Sequence, residues 1–126
     1  MKSFYIAMLL FLVVLAVTVI HIGTVNSFHS GGIEILQSLD NAVSNEDYET
    51  AKIKLSNFDE FYQNYRRWFA LFLDTADLEL IELRAARMRR FLEMEETASF
   101  YAEFVELYEI VRNLPYREGI HFEILF

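Results

Sequence analysis

The chain has 126 residues, no cysteine, and 19 acidic residues against 11 Lys and Arg residues, which gives a net charge of −8. This balance argues against a nucleic-acid partner, since phosphates require a cationic surface, and the absence of cysteine excludes disulfides and Cys-ligated metals. Four Gly and one Pro leave little material for β-turns, so the composition predicts an all-α protein.

The first predicted element is an apolar segment from Phe4 to Ile22, which contains no charged residue. Its length matches the roughly 20 helical residues that cross a bilayer core about 30 Å thick. The apolar part of a cleaved signal peptide is shorter, about 7–15 residues, and ends in a small-x-small site. Val25-Asn26-Ser27 fits that site poorly, so we predict an uncleaved transmembrane anchor, with residues 1–23 as cytoplasmic tip and span.

The orientation of the anchor follows from its flanking charges. Lys2 precedes the apolar segment, and the next Lys or Arg is Lys52. Cationic residues close to a span stay on the cytoplasmic side. This predicts a single-pass protein of the cell membrane, with a cytoplasmic N-terminus and an extracytoplasmic C-terminal domain.

Residues 24–32 are predicted to form a flexible joint, because residues 27–32 read SFHSGG. Four amphipathic helices then fill 33–114, a pattern that predicts an antiparallel bundle. Ser44 and Asp47 form a capping box before the second helix, Asp74 or Thr75 caps the third, and Pro115 ends the fourth. The expected core residues are Leu36, Leu39, Val43, Tyr48, Ala51, Leu55, Phe58, Tyr62, Tyr65, Phe69, Phe72, Leu78, Ile81, Ala85, Met88, Leu92, Phe100, Phe104, Leu107, Val111 and Leu114.

A shift of 49 residues places many of these positions on one another, which hints at a duplicated hairpin. Since 49 residues are seven heptads, any heptad-patterned chain gives the same agreement.

The last residues, 115–126, form a short apolar tail. Apolar residues alternate there with others, as in Ile124 and Phe126, which is typical of an extended segment. The tail either folds back on the bundle or docks on another subunit, a second copy of the chain included.

A dense aromatic run ends the second predicted helix, and Trp68 lies off its apolar seam. The run is either a bulky core with an exposed rim or a surface that lies at the membrane or a partner, where Trp is favoured and arginines occupy the polar zone. The candidate contacts with membrane or partner are Arg66, Arg67, Trp68, Phe72, Ile124 and Phe126.

Arg84, Arg87 and Arg90 form a basic stripe on the third predicted helix. The stripe is able to clamp a phosphate, but ion pairs with the glutamates of the fourth helix are the simpler interpretation.

No motif indicates catalysis. His21, His29 and His121 are isolated in sequence. A di-iron bundle needs two Glu-x-x-His motifs, whereas the sequence has one, Glu118-Gly119-Ile120-His121. There is no His-Glu-x-x-His, and Gly-rich phosphate loops and nucleophile elbows are missing. We expect no enzymatic activity, no cofactor and no metal.

The order of these parts resembles an uncharacterised family of small bacterial single-span membrane proteins, catalogued as a domain of unknown function. The shared layout is an N-terminal span, a helix that ends near a Trp (Trp68), a helical hairpin and a short apolar tail. The resemblance implies a protein common in spore-forming Gram-positive bacteria, encoded in some cases near a multi-pass membrane protein, and it implies no catalytic or binding residue.

These features predict a non-catalytic, membrane-anchored interaction subunit whose outer bundle docks on a larger, multi-pass membrane protein. The alternative is an extracytoplasmic module that binds a lipid or small ligand between its helices.

Overall fold

The computed structural model describes the backbone of residues 1–125 and the side chains of residues 1–115. It contains four helices, α1 (Lys2–Ser44), α2 (Tyr48–Phe72), α3 (Thr75–Glu93) and α4 (Thr97–Leu125), and no strand within this range. Helices α1 and α3 each pack against α2 and α4, and the connecting turns are short. This arrangement is an antiparallel four-helix bundle, which confirms the predicted fold class.

The core follows the predicted three-four spacing closely. All expected positions on the last part of α1, on α3 and on α4 are buried. On α2, Tyr48 and Tyr65 are half-buried and Phe72 is exposed, while the other expected positions are buried. The series also extends backwards along α1 through His21, Val25, Phe28 and Gly32, so the bundle begins earlier than predicted.

The prediction of a flexible joint at 24–32 is wrong, because these residues form the middle of α1. The glycines there permit close packing. A Cβ atom on Gly31 would lie 2.5 Å from Cζ of Phe61 on α2, and one on Gly32 would lie 3.2 Å from Cγ1 of Val111 on α4. Both glycines therefore let neighbouring helices approach α1. The helix is not interrupted here, and its buried face runs on through this stretch.

Two aspartates begin the second and third helices. The carboxylate of Asp47 accepts a hydrogen bond from the Thr50 amide at 3.2 Å, and that of Asp74 accepts one from the Ala76 amide at 3.0 Å. The predicted Asp74 cap is confirmed. The predicted capping box is wrong, because Ser44 is the last residue of α1 and Asp47 itself is the N-cap.

The α1–α2 and α3–α4 hairpins reverse through the same turn. Glu46 and Glu95 occupy the left-handed region with φ of 57° and 54°. In each turn the next amide, of Asp47 or Glu96, donates to a carbonyl five residues back at 2.9 Å. These positions are 49 residues apart, but this turn ends a large share of all helices, so the duplicated hairpin stays a hypothesis.

Helix α4 passes through Pro115 to Leu125, so the prediction that Pro115 ends the helix and that an extended tail follows is wrong for the backbone. Proline has no N–H group, and its place in the helix leaves the carbonyl of Val111 without an amide donor. His29 Nδ1 lies 3.1 Å from that oxygen, and a carbonyl only accepts, so His29 donates. A side chain of α1 thus replaces the missing backbone bond.

The expected ion pairs of the basic stripe are confirmed for α3 and α4. Arg84 contacts Glu103 at 2.6 Å and also pairs with Glu106, and Arg87 lies 3.6 Å from Glu103. Arg90 instead pairs within α3. The stripe serves mainly to hold α3 against α4.

The N-terminal part of α1 stands apart from this packing. Its most apolar 18-residue stretch has a mean hydropathy of 2.8, and only 6% of it is buried. The helix is therefore long and apolar enough to span a membrane.

Candidate functional site

The most distinctive surface lies where the apolar segment enters the bundle, which we call the basal end. Helix α2 ends and α3 begins there, beside His21 of α1. The indole Nε1 of Trp68 donates to Nδ1 of His21 at 2.9 Å. The ring of Phe72 lies 5.1 Å from that of His21 and 4.7 Å from that of Trp68. We call these three side chains the junction cluster.

The junction cluster forms because α2 runs antiparallel to α1. His21 continues the buried face of α1 and is only 1% exposed, while Trp68 and Phe72 are one turn apart on α2. A buried imidazole needs a hydrogen-bond partner, and the indole N–H supplies a donor. The bond therefore fixes the end of α2 at the last turn of the apolar segment.

A column of three side chains runs down the outer face of α2 at the basal end. Gln63, Arg67 and Leu71 recur every four residues, so they share one face of the helix. With Arg66 and Ala70 they line an open cavity of about 470 Å³. Leu71 is 73% exposed, and Arg67 makes no ion pair with the side chains that the structure describes.

Arg66 has a different role from Arg67. Its Nε donates to Glu82 Oε1 at 2.5 Å, and the same oxygen accepts from the Tyr62 hydroxyl at 3.1 Å. Burial raises the pKa of the Tyr62 phenol, and the Glu82 carboxylate reinforces that rise. Tyr62 therefore stays protonated and acts as a hydrogen-bond donor between α2 and α3.

The Tyr62 network borders a cleft of about 240 Å³ between α2 and α3. Its charged groups are engaged, since Arg89 pairs with Asp59 and Arg66 with Glu82. Over the described part of the chain, no three His, Asp or Glu side chains are placed to hold a metal ion. The cleft offers paired charges and small residues such as Ala85.

The structure brings four of the six predicted contact residues together. Arg66, Arg67, Trp68 and Phe72 lie in the last two turns of α2 at the basal end. The side chains of Ile124 and Phe126 lie outside the described residues. Sequence reasoning missed His21 as a member of this site, although the buried series of α1 continues to it at the same three-four spacing.

Fold and site together define a class of protein, namely a four-helix bundle whose first helix extends into an exposed apolar segment. A family model described as Domain of unknown function (DUF4363) matches residues 19–125. The match covers most of the chain, so the chain belongs to this uncharacterised family. The matched region begins within α1, just before His21, and takes in the whole bundle. No curated protein and no solved structure matches the chain.

Proposed function

We propose that this chain is a non-catalytic, membrane-anchored accessory subunit whose bundle docks on a larger, multi-pass membrane protein. The observation that carries the proposal is the continuity of α1, which is exposed and apolar in its first half and packed in its second. So large an apolar surface is unfavourable in water and favourable in a bilayer, where a helix satisfies its own backbone.

The packing of α1 supports an anchor over a cleaved signal. Cleavage near Asn26 would cut the helix between Val25 and Phe28, which are both buried in the core. It would also remove His21, the partner of the Trp68 indole. A mature chain without residues 1–26 would lose part of its own core, so we infer that the segment is retained.

The continuous helix gives the bundle a fixed position relative to the membrane. The bond between Trp68 and His21 joins α2 to α1 at the end of the apolar segment, so no loose linker separates span and bundle. Lys2, the one cation before the apolar segment, supports an orientation in which the bundle lies on the outer side of the cell membrane. A rigidly held bundle suits docking on a neighbouring membrane protein, because its docking surface keeps one orientation.

The partner is expected to contact the apolar segment and the basal end. Elsewhere on the described surface of the bundle, large apolar side chains are exposed at separate places, as at Ile53, Leu83 and Val105. Isolated apolar residues are common on any protein surface. The exposed face of the segment, which includes Phe11 and Leu15, is by contrast continuous.

The test uses the full chain in its native membranes, with a photo-crosslinking residue at Leu15 or, as a control, at Ile53. We expect a crosslink to a larger membrane protein from Leu15 and none from Ile53, with the chain resisting carbonate extraction and keeping Met1 or Lys2 at its N-terminus. A mature N-terminus near Ser27, or a chain that is recovered only as a monomer in several detergents, would contradict the proposal.

The alternative, a module that binds a lipid or small ligand between its helices, has less support. The α2–α3 cleft of about 240 Å³ is smaller than typical ligand pockets of about 300–1,000 Å³, and its charges are paired. A thermal-shift screen separates the two functions, because a ligand held between helices raises the melting temperature of the chain without any partner.

A further inference from the structure

We propose that the basal end binds a phospholipid of the adjacent leaflet, with Arg67 on the phosphate and Leu71 and Phe72 at the acyl boundary. This inference rests on the anchor proposed above. It assigns the outer face of α2 at the basal end, around Arg67, Leu71 and Phe72, to a lipid, and it leaves the apolar segment and the rest of the basal end to the partner protein.

The first argument is depth. The bond between Trp68 and His21 fixes one level on both helices. Because α2 runs antiparallel to α1, Leu71 lies about 4.5 Å further towards the N-terminal half of α1, at 1.5 Å per residue. That half is the exposed apolar segment, so the last turn of α2 reaches the depth at which the segment enters the bilayer.

The second argument is exposure. Leu71 is 73% exposed, the highest value of any large apolar side chain described in the bundle, and Phe72 beside it is 39% exposed. Other exposed apolar residues of the bundle stand singly and away from this end. Leu71 and Phe72 form an adjacent apolar pair at the level of the span, where contact with lipid is favourable.

The third argument is the order of side chains along α2. The column of Gln63, Arg67 and Leu71 passes from polar to cationic to apolar in two turns, towards the apolar segment. A leaflet changes in the same order, from headgroup to phosphate to acyl chain. Arg67 has no carboxylate partner among the described side chains, and a guanidinium binds phosphate through two parallel hydrogen bonds.

The turn between α2 and α3 limits how deep this contact goes. Asp74 caps α3 two residues after Phe72 and is exposed, and a carboxylate is costly to move out of water. The turn therefore stays at the headgroup level. The acidic residues here and the net charge of −8 disfavour a cluster of anionic lipids. We therefore assign the phosphate of a single phospholipid, whose headgroup is either zwitterionic or anionic.

The test exploits the absence of cysteine. Single cysteines introduced as Leu71→Cys, Ile53→Cys and Leu12→Cys carry a nitroxide label in the full chain, reconstituted in phosphatidylcholine vesicles with and without phosphatidylglycerol. Spin relaxation by oxygen and by a water-soluble nickel chelate measures whether each label contacts lipid or water. Ile53, on the same helix and 60% exposed, is the matched control.

We expect the label at Leu71 to be several-fold less accessible to nickel than the label at Ile53, in both lipid mixtures. Equal nickel accessibility at the two sites overturns the inference, provided that the label at Leu12 contacts lipid. If the label at Leu12 is itself in water, the anchor fails, and with it the proposed function.

A second arm tests Arg67. The substitution Arg67→Gln should raise the nickel accessibility of the Leu71 label, whereas Arg90→Gln, at the far end of the bundle, should not. Equal effects of the two substitutions, or none from Arg67→Gln, would overturn the role of Arg67. Excess inorganic phosphate should leave the label unchanged. A change as large as that of Arg67→Gln would reassign the site to free phosphate and overturn the lipid assignment.

Discussion

The two halves of α1 have the same backbone and opposite surroundings. No residue from 4 to 20 is buried, whereas the half from 21 to 44 buries a side chain at every third or fourth position. Secondary structure does not change at the boundary, because an α-helix satisfies its own backbone hydrogen bonds whatever surrounds its side chains. What changes is whether the side chains are exposed or pack against the other helices, and this change occurs at His21.

The packed half differs from the exposed half in the kind of residue it uses. The exposed half is rich in Leu, Val and Ile on all sides, which suits an isotropic apolar surrounding. The packed half places Phe28 on the seam, where its ring contacts four aromatic rings of α2, and Gly31 where Phe61 approaches. Packing against particular side chains of α2 requires residues of matching shape on α1.

The largest expected difference between the halves comes from truncating a phenylalanine in each. Phe28→Ala removes a fully buried ring and should lower the free energy of unfolding by about 3–5 kcal/mol, a large share of the roughly 5–15 kcal/mol of a small domain. Phe11→Ala should leave the stability of the bundle nearly unchanged. Denaturant unfolding in detergent, followed by Trp68 fluorescence, measures both. Similar losses in the two variants would show that the halves are not energetically distinct.

Two glycine substitutions are expected to give the next largest changes in stability, and the two changes have opposite signs. Gly31→Ala forces Phe61 to move, and overpacking of this kind costs about 1–3 kcal/mol, which exceeds the gain in helix propensity of about 1 kcal/mol. Gly23 has open space around it, so Gly23→Ala should raise stability by up to about 1 kcal/mol. Melting temperatures that shift in the same direction in both variants would contradict the close approach at Gly31.

A smaller effect is expected at the boundary between the halves. Trp68→Phe keeps the aromatic contact with Phe72 but removes the N–H donor to His21, and should cost about 1 kcal/mol. Circular dichroism follows the melt, since the variant has no tryptophan. In a His21→Leu background, Trp68→Phe should lower the stability by little more, because the hydrogen bond is already absent. If Trp68→Phe costs as much stability there as in the native chain, the loss comes from packing and not from the hydrogen bond.

The smallest effect lies at the far end of the packed half, where the chain turns into α2. Hydrogen bonds from the side chain and amide of Thr50 hold the pKa of the Asp47 carboxyl below its ordinary value. A lowered pKa in the folded state means that this stabilisation is present above about pH 4 and is lost as the pH falls further. Asp47→Asn should reduce the loss of stability between about pH 6 and about pH 3. An identical pH profile for both proteins would exclude this contribution.

Sequence periodicity predicted most of the bundle correctly. The seams of α2, α3 and α4 were visible because burial repeats every three or four residues, and Asp74 was visible because its cap is local. Arg66, Arg67, Trp68 and Phe72 were predicted as contact residues from a local signal, an aromatic and basic helix end, and the structure brings them together at the basal end. The packing of Gly31 was not visible, because it depends on Phe61, which lies in another helix.

The same limit explains the error at Pro115. A proline is a strong local signal for a helix end, and nothing nearby in sequence overrides it. The group that does so, His29, precedes Val111 by 82 residues. Likewise the role of His21 depends on Trp68, 47 residues away. A residue whose role depends on a contact with a distant helix leaves no periodic pattern in the sequence.

The two histidines of α1 use the same ring nitrogen in opposite roles. His29 donates from Nδ1 to the Val111 carbonyl, so its ring carries a proton on Nδ1. His21 accepts at Nδ1 from the Trp68 indole, which only donates, so its Nδ1 carries none. One helix therefore holds two imidazole rings with opposite proton arrangements, of which one completes the backbone of α4 and the other fixes the end of α2 at the apolar segment.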